Sequence, residues 1–126
     1  MVPNSLRRWF VAHFVADMLF AIPMFFAPQF CLRLFGWTTV DPIMTRIAAA
    51  ALFGIGIESL LGRNADKPTF IAMLNLKVIW ASAATVGIAW GTVESGNRWG
   101  WAFVAVFAAF LCVWSTYRIR LGKSAQ

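Results

Sequence analysis

The chain has 126 residues, of which 60% are hydrophobic and only 13% are charged. Soluble domains average about 25% charged residues, so this composition excludes an ordinary soluble domain and favours a lipid-facing surface. A net charge of +6 is also found in nucleic-acid-binding proteins, but here the basic residues form short clusters beside apolar runs, a pattern typical of membrane flanks.

The first apolar run covers about residues 9–27 and is nearly long enough to cross a hydrocarbon core of about 30 Å. Two arginines precede it, as in a secretory signal, but the run contains Asp17 and no A-x-A cleavage site follows. We therefore predict a retained first span with a kink at Pro23. Residues 28–37 are too few to span and rich in aromatic side chains, which indicates a short interfacial helix.

Three further spans follow. Asp41 and Pro42 supply an N-cap and a first helical residue for a second span at about 42–62. A third is predicted at about 68–91 and a fourth at about 99–119, separated by a short polar connection. The predicted fold class is all-α: a single transmembrane domain of all 126 residues, built as an antiparallel bundle of four transmembrane helices.

The basic residues predict the orientation of the spans. The positive-inside rule places both termini in the cytoplasm and the chain in an inner or plasma membrane, because seven lysines and arginines flank the spans on that side and three on the other. The seven are Arg7, Arg8, Arg63, Lys67, Arg118, Arg120 and Lys123, and the three are Arg33, Arg46 and Arg98.

Small residues at four-residue spacing predict the faces through which the helices pack. Such residues let backbones approach closely in a bilayer, where hiding apolar surface from lipid gives no driving force. They are Gly54 in the second span and Ala83, Gly87 and Gly91 in the third. We expect these faces to close the four-helix bundle, and the alternative is an interface in a homo-oligomer.

Four ionisable residues lie inside the predicted spans: His13, Asp17, Glu58 and Lys77. Asp17 and Lys77 lie at similar depth, about 14 to 15 Å from the cytoplasmic ends. A charge at mid-bilayer costs roughly 2.5 to 3.5 kcal/mol, so we predict an ion pair between them. Glu58 and His13, in the same half, are expected to extend the cluster, and His13 is its candidate proton acceptor.

Two functions remain open for this cluster. In one, it binds or passes a small molecule or a proton; in the other, the chain is an accessory or assembly subunit of a larger membrane complex, and the charges only fix helix register. The single histidine and two cysteines have no metal-ligand spacing, and catalytic motifs are missing. We therefore expect a protein that is not an enzyme and has no metal or cofactor, with membrane lipids as partners.

Residues 46–58 combine four consecutive alanines with Gly54 and Gly56 and end at Glu58. This segment resembles the second helix of small bacterial DoxX-like membrane proteins, which is rich in glycine and ends in an acidic residue. The resemblance covers roughly a tenth of the chain. It implies a four-span fold and no particular activity, because most of that group has none assigned.

Overall fold

The computed structural model describes residues 1–124, and these residues are helical almost throughout. No β-strand occurs in the described part of the chain, which confirms the all-α class. The helices are α1 (Asn4–Phe26), α2 (Pro28–Leu34), α3 (Pro42–Leu61), α4 (Lys67–Ser95) and α5 (Trp99–Lys123), with a 3-10 turn at Gly62–Asn64.

Four of these helices are long and apolar enough to cross a membrane. They are α1, α3 with its 3-10 extension, α4 and α5, which have between 23 and 29 residues each. The four predicted spans fall on these four helices, with α4 and α5 continuing four residues beyond the predicted ends. The chain is thus a small polytopic integral membrane protein.

Helices α3 and α4 each begin directly after an aspartate that caps the helix N-terminus. The Asp41 carboxylate accepts hydrogen bonds from the backbone N–H groups of Ile43 and Met44, at 2.8 and 3.1 Å, which confirms the predicted N-cap of α3. Asp66 caps α4 in the same way, through a 3.0 Å bond from the Thr69 N–H. Hydrogen bonds from the Thr69 side chain and backbone lower the pKa of Asp66, since they stabilise the carboxylate.

The predicted interfacial segment forms α2, which ends at Leu34 rather than near residue 37. It follows α1 almost directly, because Ala27 is the single residue between the two helices. Helix α1 continues through Pro23 and ends three residues later, where the Ala27 N–H donates to the Pro23 carbonyl at 2.9 Å. The kink proposed at Pro23 stays a prediction.

The contacts divide the chain into two compact units. We call residues Pro3–Asn64 the N-terminal unit, and the residues from Ala65 on, with Met1–Val2, the C-terminal unit. In the N-terminal unit α1 and α3 are antiparallel: the Arg7 guanidinium donates to the Arg63 carbonyl at 2.7 Å, and Arg46 donates to the Phe25 carbonyl at 2.9 Å.

In the C-terminal unit α4 and α5 form an antiparallel hairpin. Lys67 Nζ donates to Ser124 Oγ at 2.9 Å, and farther along α4 the Arg118 guanidinium donates to Asn75 Oδ1 at 2.6 Å. At the connected end, a Cβ placed on Gly100 would lie 2.8 Å from the Cβ of Thr92. The helices therefore lie in close contact at the short connection between them.

The predicted small-residue faces lie outside the helix contacts within each unit, and their role in closing the bundle stays a prediction. Gly54, Ala83, Gly87 and Gly91 are all exposed, and a Cβ added to any of the three glycines would meet nothing within 4 Å. These residues are therefore not the contact faces inside either unit. Four-residue spacing places side chains on one face of a helix, but it does not determine which face turns toward a neighbouring helix.

Candidate functional site

Three buried polar side chains meet in the N-terminal unit. His13 and Asp17 are one turn apart on α1 and are 5% and 7% exposed, and Ser59 of α3 is fully buried. The i, i+4 spacing on α1 places the imidazole and the carboxylate on the same face, which α3 covers. We call these three residues the polar cluster.

The His13 ring nitrogen Nδ1 lies between two oxygens. It is 3.4 Å from Asp17 Oδ2 and 3.3 Å from Ser59 Oγ. The Ser59 hydroxyl donates its own hydrogen to the Ile55 carbonyl at 2.7 Å, so Ser59 Oγ faces the ring as an acceptor. Asp17 Oδ2 is likewise an acceptor, so a hydrogen on Nδ1 is donated to Ser59 Oγ and lies beside the Asp17 carboxylate.

This arrangement favours the tautomer of His13 that carries its hydrogen on Nδ1, facing two acceptor oxygens. A proton added to the ring with its hydrogen on Nδ1 would bind at Nε2 and form the imidazolium. The imidazolium and the Asp17 carboxylate together carry no net charge, whereas the neutral ring beside the same carboxylate leaves one negative charge.

A glycine lets α3 approach the carboxylate. A Cβ placed on Gly56 would lie 2.7 Å from the Cβ of Asp17, 3.0 Å from its Oδ2 and 3.0 Å from the terminal methyl carbon of Met18. Carbon atoms that are not bonded prefer separations of about 3.5 to 4.0 Å, so no side chain fits here without displacement. Gly56 and Ser59 lie three residues apart and therefore face α1 together.

The structure brings Ser59, and not Glu58, to His13. Glu58 is exposed, because one residue along a helix turns the side chain by about 100°. Sequence reasoning singled out the carboxylate and missed the hydroxyl. The signal for Ser59 was its position three residues after Gly56, on the same helix face.

Lys77 is buried in the C-terminal unit, with 3% of its surface exposed. Its ammonium nitrogen lies 5.2 Å from the centroid of the Trp114 ring, which is within the range of a cation–π interaction. The sequence did not single out Trp114 as a neighbour of Lys77. The ion pair between Lys77 and Asp17 stays a prediction from the sequence.

No group of three or more histidine, cysteine, aspartate or glutamate side chains within residues 1–124 is arranged to hold a metal ion. What the polar cluster provides is a buried histidine beside a buried carboxylate. An imidazole next to a carboxylate is a pair of groups suited to acid–base chemistry.

Comparison with known protein families, with characterised proteins and with solved structures found no match for this chain. The DoxX-like resemblance of residues 46–58 therefore remains an expectation from the sequence. The geometry of the polar cluster and the properties of the four apolar helices are the basis for assigning a function.

Proposed function

We propose that this membrane protein takes up and releases a proton at the polar cluster of His13, Asp17 and Ser59, in the course of binding or passing a small molecule. The observation that carries the proposal is the position of His13 Nδ1 between the Asp17 carboxylate and the Ser59 hydroxyl, with all three side chains at least nine-tenths buried.

The energetic cost of such a cluster supports a functional role. Ionisable side chains inside membrane spans are rare because each costs several kcal/mol, and they mark ion pathways and proton relays. Histidine is the side chain whose ordinary pKa lies closest to neutral pH, so it changes charge under physiological conditions. A carboxylate kept only to fix helix register needs no partner that titrates in this range.

The proposed orientation follows from the basic flanks. If the chain lies in an inner membrane with both termini on the cytoplasmic side, the polar cluster lies in the cytoplasmic half of the bilayer. The exposed apolar side chains then face membrane lipids. Reporter fusions to residue 126 and to the connection at residues 96–98 test this orientation. Activity of a cytoplasmic reporter at the connection, or of a periplasmic reporter at the C-terminus, would contradict it.

Proton exchange is tested with the purified chain in liposomes that enclose a pH-sensitive dye. Under an imposed pH gradient and a clamped membrane potential, we expect wild-type protein to speed the decay of the gradient. Asp17→Asn is expected to slow the protein-dependent rate by about tenfold or more, because the carboxylate that stabilises the imidazolium becomes neutral.

The matched control is Asp41→Asn, which makes the same change at an exposed helix cap where asparagine serves as well as aspartate. It should leave the rate unchanged. Equal rates for wild type and Asp17→Asn, in protein that is folded in both cases, would reject proton passage.

The exposed small residues favour a second function, that of an accessory subunit in a larger membrane complex. Gly54, Ala83, Gly87 and Gly91 leave room for a helix of another protein, as small residues do at helix contacts in bilayers. Gly87→Leu would then abolish co-purification of a partner while Asp17→Asn leaves it intact. In the liposome assay, a rate that falls in Asp17→Asn and is unchanged in Gly87→Leu supports the proton-exchange function instead.

A further inference from the structure

A row of aromatic side chains lies along the contact between α4 and α5. The Trp80 and Phe107 rings have centroids 6.5 Å apart with a tilt of 57°, and the Phe110 and Trp114 rings stack at 5.7 Å. Lys77 lies over the Trp114 ring. We call these four rings the aromatic row; all of them belong to the C-terminal unit.

One polar group in this row has no hydrogen-bond partner among residues 1–124. The indole nitrogen Nε1 of Trp80 is buried, and it makes no hydrogen bond within the part of the chain that the structure describes. Buried indole N–H groups usually find an acceptor, since leaving the donor unsatisfied forfeits the hydrogen bond that it makes in water. In a bilayer no water is present to supply that acceptor.

The depth of Trp80 limits what the acceptor is. Trp80 lies 13 residues after Lys67, the first residue of α4, which places it about 20 Å along a helix of 29 residues and hence near its middle. Phosphates and ester carbonyls of lipids lie at the membrane surface, outside the hydrocarbon core. A lipid-borne or small-molecule acceptor at this depth must therefore belong to a molecule that dissolves in the core itself.

The two ends of the aromatic row differ in access. Trp114 is 1% exposed and is covered by Lys77 and Phe110, whereas Trp80 and Phe107 are only half-buried. These two rings are therefore the ones that turn most readily. Rotation of the Trp80 ring would point its N–H toward an incoming molecule. Because the neighbouring surfaces are aromatic, they match the flat face of a ring.

We propose that the Trp80 and Phe107 end of the aromatic row binds an uncharged, ring-containing apolar molecule that carries an acceptor oxygen, and that the Trp80 Nε1–H donates to this oxygen. The site lies in α4 and α5 and does not involve the polar cluster. Its occupant enters sideways from the bilayer, because the depth of Trp80 matches the hydrocarbon core.

Two probes separate the hydrogen bond from simple partitioning. Benzophenone and diphenylmethane have the same two rings, and only benzophenone has a carbonyl oxygen. Each is titrated into the purified full chain in lipid nanodiscs, while the seven indole N–H signals are followed by nuclear magnetic resonance. The Trp80 signal is identified by its loss in Trp80→Phe.

We expect benzophenone to shift the Trp80 signal saturably to the position of a hydrogen-bonded indole. Diphenylmethane should bind about tenfold more weakly, the effect of losing one buried hydrogen bond. Trp80→Phe keeps a ring and removes the N–H, so it should weaken benzophenone binding by a similar factor and leave diphenylmethane unaffected. Trp101→Phe, the same change at an exposed position of α5, should alter neither.

Three results would overturn the proposal: equal binding of the two probes to wild-type protein, equal shifts of all seven indole signals, or unchanged benzophenone affinity in Trp80→Phe. If Trp80→Phe does not fold, the affinities of the two probes for wild-type protein decide, because a saturable shift of one indole signal with benzophenone and about tenfold weaker binding of diphenylmethane are measured without assigning that signal.

Discussion

Gly56 of α3 lies against Asp17 of α1 so closely that a Cβ at position 56 would be 2.7 Å from the Asp17 Cβ. The same approach brings Ser59, one turn further along α3, to within 3.3 Å of the His13 ring. The geometry of the polar cluster thus depends on glycine at position 56, which has no side chain to hold the two helices apart.

Gly56→Ala is predicted to destabilise the protein by about 1 to 3 kcal/mol, because the added methyl group must push α3 away from α1. The matched control is Gly54→Ala on the same helix, where a Cβ meets nothing within 4 Å. That change should be neutral or stabilising by up to about 1 kcal/mol, as expected for alanine in a helix. Unfolding by SDS in mixed micelles measures both, and equal effects would contradict the close approach.

The single histidine makes the tautomer of the polar cluster directly measurable. In protein labelled with ¹⁵N only at histidine, we expect the neutral ring of His13 to carry its hydrogen on Nδ1, because both neighbouring oxygens accept. Ser59→Ala removes one of these acceptors and should raise the fraction of the Nε2–H tautomer. A wild-type ring protonated mainly at Nε2 would show that the assigned hydrogen-bond directions are wrong.

Trp114 is predicted to be the most sensitive tryptophan of α5. It is 1% exposed, stacks on Phe110 and lies under the Lys77 ammonium, so Trp114→Ala removes packing and the cation–π contact together. The expected loss of stability is about 2 to 4 kcal/mol. Trp101→Ala, at a tryptophan that is 51% exposed, should cost less than about 1 kcal/mol. A similar cost at both positions would argue against a packed aromatic row.

The start of α4 is predicted to weaken in acid. Hydrogen bonds from Thr69 hold the pKa of Asp66 below its ordinary value of 3.8. A carboxylate with a lowered pKa stabilises the folded state at pH values above its ordinary pKa, and this contribution disappears as the pH falls through the lowered one. Relative to its intrinsic exchange rate, the Thr69 amide should therefore exchange more slowly above this pH range, where Asp66 is ionised, than below it.

Asp66→Asn provides the control for this titration, since asparagine caps a helix equally well and does not ionise. After correction for the intrinsic exchange rate, protection of the Thr69 amide in Asp66→Asn should not vary between about pH 2 and about pH 6. The same acid-induced loss in the variant would assign the effect to another group.

Helix class and extent were accessible from the sequence. Long apolar runs have one stable form in a bilayer, because an α-helix satisfies every backbone hydrogen bond within the segment. The cap at Asp41 was predictable for an equally local reason, since a capping side chain bonds to residues two and three positions ahead of it. The one-turn relation of His13 to Asp17 also follows from the helix repeat alone.

Which faces of the helices meet was decided by the tertiary structure. A helix that is apolar all round has no polar side to mark its surface, so the sequence favoured Gly54 and Glu58 where the fold uses Gly56 and Ser59. Depth along a helix is fixed by a rise of about 1.5 Å per residue, but rotation about the helix axis is fixed only by the neighbouring helix. The sequence by itself therefore determined how deep the polar residues lie, and the packing of α3 on α1 determined which of them meet.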